Sequence, residues 1–243
     1  MAHCTIHPIA LLETRIDKSL MTYRLNFGQP ISSISYVWYI KGLKEKILVD
    51  AGASAEYFLT FRGTPAKEIQ TLDSGLQKQG VGFGDIDLII LTHLHHDHVA
   101  EALRFPKAKF LVQKIELEFA QKPHPSVAAQ YNRKFLDGIN FEVISGDTKI
   151  CDEISALYTP GHTPGGQSVS VKTTKGTAVI TGLCTIRENY SPPPELEKNA
   201  PVITPGMHTN ALEAYDSVIR IKEMADIIIP IHEAEFQQKS CIP

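Results

Sequence analysis

Residues 88–98, which read LIILTHLHHDH, join an apolar strand to a cluster of metal-ligating side chains. The first four residues are apolar and predict a strand that is buried on both faces. Alternate side chains of an extended segment share a face, so His93 and His95 can bind one metal ion. If the chain then turns, Asp97 and His98 can bind a second ion nearby. The segment therefore predicts a metal site at the end of a strand.

The ligand types in this segment indicate which metal it binds. Neutral imidazole and carboxylate together suit zinc, and iron or manganese would accept the same set. His96 falls in a spacer position, and we expect its ring to face away from the metal. A cluster of titratable rings in one turn has no visible purpose without a metal ion. We therefore predict one or two zinc ions as the cofactor.

Two further histidines stand in the same local setting. Residues 156–166, ALYTPGHTPGG, pass from a short apolar run into a Pro/Gly turn that carries His162. Residues 227–232, IIIPIH, likewise end on His232. Either histidine taken alone is more typical of a structural role. Because every candidate follows a strand, and sites in layered α/β proteins gather beyond strand ends, we expect them to meet at one site.

The pattern of apolar runs predicts a layered α/β sandwich formed by a single domain, residues 1–243. Runs that are rich in Ile, Val, Tyr and Phe are typical of strands. They are residues 35–40, 47–49, 88–91, 110–112, 141–144, 178–180 and 227–231.

Three helices are predicted between these strands. The first begins at the N-cap pair Thr64-Pro65 and ends before Gly80. The second covers residues 126–136, where apolar side chains recur every four residues. The third opens at the N-cap Asn210 and places Leu212, Tyr215 and Ile219 on its packed face.

Composition excludes several classes of partner. A formal net charge of −3, without a run of Lys or Arg, argues against nucleic acid and anionic membranes. No apolar stretch approaches the roughly 18 residues of a membrane span, and the N-terminus lacks the apolar core of a secretory signal. The scattered cysteines Cys4, Cys151, Cys184 and Cys241 are typical of reduced thiols. We expect a cytoplasmic protein that acts on a small molecule, as a monomer or a homodimer.

These motifs together resemble the metallo-β-lactamase superfamily. The resemblance rests on the His-x-His-x-Asp-His pattern of residues 93–98, the TPGHTPG turn around His162 and the late His232. Residues 48–52, LVDAG, are similar to the early Asp-x-Gly turn of that superfamily. The resemblance implies a four-layer αββα sandwich with the metals in a cleft at one edge of two sheets.

The resemblance also implies a role for each site residue. The first ion would be bound by His93, His95 and His162, and the second by Asp97, His98 and His232. Asp50 would orient ligand histidines from behind. Metal held by three neutral imidazoles can bring the pKa of bound water near 7 and present hydroxide at neutral pH. Asp97 would position this nucleophile and act as the catalytic residue that shuttles its proton.

Within the superfamily, the chain looks most like the N-acyl-homoserine lactonase branch. The similar stretches are residues 105–116, FPKAKFLVQKIE, residues 187–190, RENY, and the long segment before Asp50. This branch implies that the metal-bound hydroxide opens a lactone or a related small carboxylic ester.

The sequence departs from the family pattern at one place. Most dinuclear members carry a bridging Asp after a strand that ends in Gly, and here Leu183 occupies the expected position after Gly182. Leucine cannot ligate and would put a hydrophobic wall in the second site, so Leu183→Asp should tighten that site. Cys184 is an alternative ligand, although a shift by one residue requires a bulge or a local turn. The lactonase tyrosine also has no counterpart, because Thr185 and Ile186 fall there.

Alternatives remain open at this point. A glyoxalase-II-like thioesterase would share every ligand. A metal-binding homologue that has lost or altered its catalysis belongs to a different class of function. A β-lactamase is disfavoured because one major group of lactamases has Arg at the position of His98. A redox di-iron protein is disfavoured because such proteins typically have Glu at the position of His95.

Overall fold

The computed structural model describes residues 4–63 and 65–243, and two sheets dominate this part of the chain. The strands are β1 (Thr5–Asp17), β2 (Pro30–Lys41), β3 (Ile47–Val49), β4 (Lys67–Glu68), β5 (Leu88–Ile90), β6 (Lys109–Gln113), β7 (Phe141–Ile144), β8 (Thr148–Lys149), β9 (Ile154–Tyr158), β10 (Gln167–Thr173), β11 (Gly176–Ile180) and β12 (Ile227–Ile229). The larger sheet has the order β4-β1-β2-β3-β5-β6-β7, and the smaller has the order β12-β11-β10-β9-β8.

Each sheet contains both antiparallel and parallel pairs. In the larger sheet, β1, β2 and β3 pair antiparallel, whereas β3, β5, β6 and β7 run parallel. In the smaller sheet, β9, β10 and β11 pair antiparallel and β12 joins β11 in parallel. Parallel strands need long crossover connections, and the helices lie in these connections.

The helices flank the sheets. They are α1 (Ala55–Tyr57), α2 (Leu72–Lys78), α3 (His96–Val99), α4 (Lys114–Gln121), α5 (Arg187–Tyr190), α6 (Pro194–Glu197) and α7 (Ala211–Met224). Short 3₁₀ turns cover Lys18–Leu20, Phe83–Asp85, Ala102–Arg104, Ala128–Gln130, Arg133–Phe135 and Ala234–Gln238, and a π-helical turn covers Phe58–Arg62.

The alternation of side chains along the central strands produces four layers. In β5, Ile90 packs into the core between the two sheets, whereas Ile89 packs on the outer face with Leu76 of α2. In β11, Ile180 faces the inner core and Val179 packs under α7. Strands buried on both faces read as continuous apolar runs, as these do. The predicted αββα sandwich is therefore confirmed.

The predicted strands are confirmed, but the sequence patterns missed two long ones. Each predicted run overlaps a strand, and residues 47–49 and 141–144 match their strands at both ends. The longest strand, β1, was not predicted because its sequence TIHPIALLETRID lacks a clean alternation. β10 was also missed, since the polar residues Gln167 and Ser168 open it and are nevertheless buried.

Two of the three helix predictions need correction. Residues 126–136 form two separate 3₁₀ turns, because Tyr131 between them is extended and buries its ring against His95. The first helix begins at Leu72, capped by the Thr71 side chain, rather than seven residues earlier. Thr64, the predicted N-cap, lies outside the described residues.

The third helix forms where it was predicted, but its packed face differs. The Asn210 side chain accepts hydrogen bonds from the backbone N–H groups of Leu212 and Glu213, so the predicted cap is confirmed. Tyr215 and Ile219 pack against the outer core and are partly buried. Leu212 itself is 78% exposed, and the residues that the helix buries fully include Ala214 and Val218. The prediction that Leu212 packs was therefore wrong.

The prediction for Leu183 was also wrong. Its side chain is fully buried in the outer layer, where it packs with Val179, Tyr190 and Ala214 beneath α7. Its side chain therefore does not line the metal site. Cys184, one residue later, faces the opposite way and lines the cavity that holds the histidines.

We expect Leu183→Asp to destabilise the fold rather than to complete a metal site. The substitution places an unpaired carboxylate among apolar side chains, and the free energy of unfolding should fall by about 3–5 kcal/mol. Urea denaturation measures this loss. The matched control is Leu212→Asp on the exposed face of α7, which should change stability by no more than about 0.5 kcal/mol. An undiminished stability with increased metal occupancy would show that Leu183 faces the site.

Candidate metal centre

The candidate ligands sit where strands of both sheets end. His93 and His95 follow β5 of the larger sheet, and α3 begins directly after His95. This helical turn carries Asp97 and His98 away from the extended segment, as the sequence predicted. The smaller sheet supplies His162 after β9 and His232 after β12. All of them lie at one edge shared by the two sheets.

Three histidines form the first group. His93, His95 and His162 each offer a ring nitrogen, and these atoms lie within 4.8 Å of one another. The ring centroids are 4.6, 4.7 and 4.8 Å apart, and each pair of rings is nearly perpendicular. All three side chains are buried. Three neutral nitrogens that converge in this way match the open coordination of a catalytic zinc site.

A carboxylate and two histidines form the second group. Ligand atoms of Asp97, His98 and His232 also lie within 4.8 Å of one another. The Asp97 Oδ2 atom is 3.3 Å from His98 Nε2, and the Asp97 side chain is 18% exposed. The rings of His93 and His98 are 4.1 Å apart, so the two groups adjoin. The structure thus brings all six predicted residues together in two sets of three.

Backbone carbonyls fix the orientation of two ligand rings. His162 Nδ1 donates a hydrogen bond to the carbonyl of Met207 at 2.8 Å, and His232 Nδ1 donates to that of Ile34 at 3.1 Å. A carbonyl oxygen can only accept, so the proton lies on Nδ1 and the lone pair on Nε2. Such outer hydrogen bonds set the tautomer and orientation of metal ligands.

Asp50 plays the corresponding part for His98. Its buried carboxylate accepts a hydrogen bond from His98 Nδ1 at 2.7 Å and from the backbone N–H of Thr92 at 2.7 Å. Asp50 has a φ of +62°, a left-handed conformation that is uncommon outside glycine. The strained backbone aims the carboxylate at both partners, which agrees with the orienting role expected from the sequence.

One buried atom shows that the first group is built for a cation. Among the described residues, His93 Nε2 finds no hydrogen-bond donor or acceptor although it is fully buried. Leaving a buried polar atom without a partner costs about 1–3 kcal/mol. Its Nδ1 lies 3.1 Å from Thr92 Oγ1, so the unsatisfied nitrogen is the one directed at His95 and His162. The residues therefore fit a divalent metal ion.

The first group is electrically neutral. Burial lowers the pKa of His93 and His95 well below the usual range, and neighbouring imidazoles lower it further. Burial also lowers the pKa of His162 to about 4. These histidines are therefore unprotonated at neutral pH, which is the form that binds a metal ion.

The second group contains an ionised carboxylate beside a histidine that holds a proton. Burial raises the pKa of Asp97, but nearby imidazoles, above all His98, outweigh it and hold that pKa well below the usual range. Burial lowers the pKa of His98, yet the carboxylates of Asp97 and Asp50 raise it to about 10. A cation at this group would therefore replace the proton that the carboxylates draw to His98.

Two further residues lie beside these groups, namely His96, which was predicted to face away, and Cys184, which was the alternative ligand. His96 packs its ring against Tyr57 and Phe58 and belongs to neither set of three. The Cys184 thiol is buried next to the sulfur atoms of Met21 and Met207 and also belongs to neither set. Burial raises the pKa of this thiol, so the structure gives it no help in becoming a thiolate ligand.

The sequence patterns missed Glu116, which connects both ligand loops. Its fully buried carboxylate accepts hydrogen bonds from the backbone N–H of Leu94, between His93 and His95, and from that of Gly165, in the turn of His162. Burial raises its pKa, and these hydrogen bonds oppose the shift. The available signal was a carboxylate at the junction of the apolar strand β6 and α4.

Comparison with known proteins agrees with this geometry. The profile of the Metallo-beta-lactamase superfamily matches residues 32–224, which include five of the six candidate ligands, all except His232. Since the match covers most of the chain, the protein belongs to the metallo-beta-lactamase superfamily. No helix within the described residues has the length and apolar character needed to cross a membrane.

Individual relatives identify the branch. The chain is 31% identical to the N-acyl homoserine lactonase AiiA of Bacillus thuringiensis subsp. kurstaki, over 93% of this chain and 91% of the relative. It is 28% identical to an N-acyl homoserine lactonase of Bacillus cereus, with the same coverage. The branch is therefore that of the N-acyl homoserine lactonases, as the sequence predicted.

Solved structures extend the comparison to three dimensions. An N-acyl homoserine lactone hydrolase with N-hexanoyl-L-homoserine bound at its catalytic metal centre superposes with a TM-score of 0.80. The identity is 25%, and the match covers 100% of this chain and 98% of that one. AidC, described as a dizinc quorum-quenching lactonase, shares the fold with a TM-score of 0.69 at 18% identity, over 98% and 89% of the two chains.

We expect Glu116→Gln to weaken metal binding. Glutamine is isosteric but replaces one carboxylate oxygen with a donor, so one of the two backbone N–H groups loses its acceptor. The released loop should lower zinc affinity by roughly 10–100-fold, as changes behind metal ligands do. Competition with a chromophoric chelator measures the dissociation constant.

Glu118→Gln on the exposed face of the same helix provides the control, and it should leave zinc affinity unchanged. If Glu116→Gln lowers the unfolding midpoint but holds zinc as tightly as the parent, Glu116 stabilises the fold without positioning the ligands.

Proposed function

We propose that this protein is a metal-dependent hydrolase that opens the lactone ring of N-acyl homoserine lactones. The observation that carries the proposal is the pair of adjoining ligand groups at the edge of the sandwich. Within each group of three residues, the ligand atoms lie within 4.8 Å of one another. The lactone is supported by the relatives, whose names state this activity, and by the solved structure that holds N-hexanoyl-L-homoserine at its metal centre.

Zinc is the metal that we propose for both groups. His93, His95 and His162 would hold the first ion, and the chemistry of three imidazoles favours zinc over harder cations. The second ion would be held by Asp97, His98 and His232. The description of AidC as a dizinc enzyme supports this choice. Bound zinc lowers the pKa of water and polarises a carbonyl oxygen, which is the chemistry that ester hydrolysis requires.

The chain's own residues supply positioning and proton transfer. The two groups line a cavity of about 110 Å³, which also contacts Phe58, Met21 and Met207. These apolar side chains exclude water from one side of the site. Asp97 is the partly exposed acidic ligand, so its carboxylate is placed to accept a proton from a nucleophilic water and to pass it to the leaving alkoxide. Asp50 and Glu116 fix the conformation of the ligand loops through the hydrogen bonds that they accept.

We infer that residues 1–243 form one catalytic domain, because ligands of a single centre come from both sheets. Burying these ligands requires that the two sheets stay packed together. A cytoplasmic location and the choice between monomer and homodimer stay predictions.

The substrate class is tested with a panel of a lactone, a thioester and a β-lactam. We expect kcat/KM to be highest for an N-acyl homoserine lactone. A preference for the thioester by tenfold, which is about 1.4 kcal/mol of transition-state binding, would assign the protein to the glyoxalase-II-like alternative. Stoichiometric zinc without turnover of any member would indicate a metal-binding homologue that has lost catalysis.

Asp97→Asn tests the proton-transfer role. The amide cannot accept the proton, so kcat should fall by about 10²-fold or more. Asp137→Asn, at an exposed position outside the site, should retain the parent value. Full activity of Asp97→Asn would remove this residue from the mechanism.

His93→Ala should lose the first ion, whereas His124→Ala on the exposed surface should keep it. Elemental analysis measures the metal content of both variants.

The second ion should leave first under mild chelation. This ion must displace the proton that the carboxylates of Asp97 and Asp50 draw to His98, whereas the histidines of the first group are already unprotonated. Two adjacent cations also repel strongly in a partly desolvated cleft. Stepwise removal by a weak chelator should therefore give a protein with one zinc ion.

Cys184→Ala should leave this order and both stoichiometries unchanged, because the thiol lies outside both groups. A large loss of second-site metal in this variant would instead establish thiolate ligation. Two ions of equal affinity in the parent protein would contradict the charge argument.

A further inference from the structure

Three sulfur atoms converge beside the histidine groups. Cys184 Sγ is 3.4 Å from Met21 Sδ and 4.0 Å from Met207 Sδ. These residues are far apart in sequence, and they meet because the 3₁₀ turn before Met21 and the loop that holds Met207 both cover the segment after β11. The hydrolytic reaction proposed above makes no use of these sulfur atoms.

The sulfur cluster is enclosed but accessible. Met21 and Cys184 are 1% and 4% exposed, and Met207 is partly buried. All three residues line the cavity that contains the ligand histidines, so an ion that enters the cavity reaches them. The apolar side chains packed around the cluster are Ile16, Ile31 and Ile186, and the histidines and Asp97 line the same cavity.

The spacing and chemistry of the cluster match a soft metal ion. Thiolate and thioether sulfur favour soft cations such as Cu(I), whereas imidazole and carboxylate suit zinc. Metal–sulfur bonds of about 2.3 Å place three sulfur ligands in a plane about 4 Å apart. The separations of 3.4 and 4.0 Å from the Cys184 sulfur to the two methionine sulfurs lie near this value.

Charge selects a monovalent ion. One thiolate and two neutral thioethers carry a single negative charge, which a monovalent cation neutralises completely. A divalent ion would leave a net positive charge among isoleucine and methionine side chains, and burying an uncompensated charge is costly. Zinc therefore stays at the histidine and aspartate ligands.

We propose that Met21, Cys184 and Met207 form a binding site for a soft monovalent cation, Cu(I) or Ag(I), beside the hydrolytic centre. The S–H bond of Cys184 breaks as the sulfur–metal bond forms, and the proton passes to solvent. No oxidation state changes. The site is independent of the proposed lactonase activity and would persist if the substrate were a different ester.

The test is a Cu(I) titration of the zinc-loaded protein against a chromophoric Cu(I) chelator. Cys151→Ser and Cys241→Ser remove the more exposed thiols from the background protein. We expect one equivalent of Cu(I) to bind without release of zinc. Met21→Leu and Met207→Leu should each weaken binding by roughly tenfold or more, because each removes one soft ligand. Cys184→Ala should abolish the tight site.

Met224→Leu is the matched control, because it removes a thioether from the end of α7 and should bind Cu(I) like the background protein. Leucine preserves side-chain volume, and the Met207 carbonyl that His162 uses is unchanged, so both variants should retain zinc. Parental Cu(I) affinity in Met21→Leu and Met207→Leu would overturn the proposal. So would tight binding by Cys184→Ala, displacement of zinc, or the lack of a stoichiometric Cu(I) site. Lactone turnover, measured without copper, tests the proposed function separately.

Discussion

The buried carboxylate of Asp50 connects the fold to the chemistry of the site. It stands at the end of β3 and accepts hydrogen bonds from Thr92, after β5, and from His98, in α3. Its positive φ is a cost that these bonds offset. Without this carboxylate, the turn after β5 would lose the acceptor that fixes both its backbone and the second ligand group. The left-handed turn at Asp50 is thus inseparable from the position of the metal ligands.

The two sheets are tied together directly beneath the ligands. Gln167, which opens β10, donates from its backbone N–H to the carbonyl of Thr92 and from its side chain to that of Leu91. Gln113 in turn donates to the Gln167 side chain. Gly182, which follows β11 of the same sheet, lies against Gln167, and a Cβ there would stand 1.9 Å from the Gln167 carbonyl oxygen. A polar connection in an apolar interior fixes the register of the sheets and therefore the distance between their ligands.

The two ligand groups and the Cys184 thiol share one cavity but differ in charge, and this difference gives each a different role. Three neutral imidazoles leave the full charge of a divalent ion available for catalysis. Asp97 gives the adjoining group its carboxylate and also the partial exposure that proton exchange with solvent requires. The Cys184 thiol, held protonated by burial, contributes no charge unless a soft cation replaces its proton. Ligand hardness can thus keep two kinds of metal apart at short range.

The sequence alone determined the six candidate ligands, the layered fold and the apolar strands, because strand periodicity and the spacing of histidines are local properties. It also determined the cap at Asn210, which depends on neighbouring backbone groups. Only the tertiary structure decided that Leu183 packs under α7 while Cys184 faces the cavity, since a single residue of register reverses the face of a side chain. It likewise decided the role of Glu116, whose hydrogen-bond donors lie 22 and 49 residues away along the chain. Contacts between distant segments arise from packing, and no local pattern encodes them.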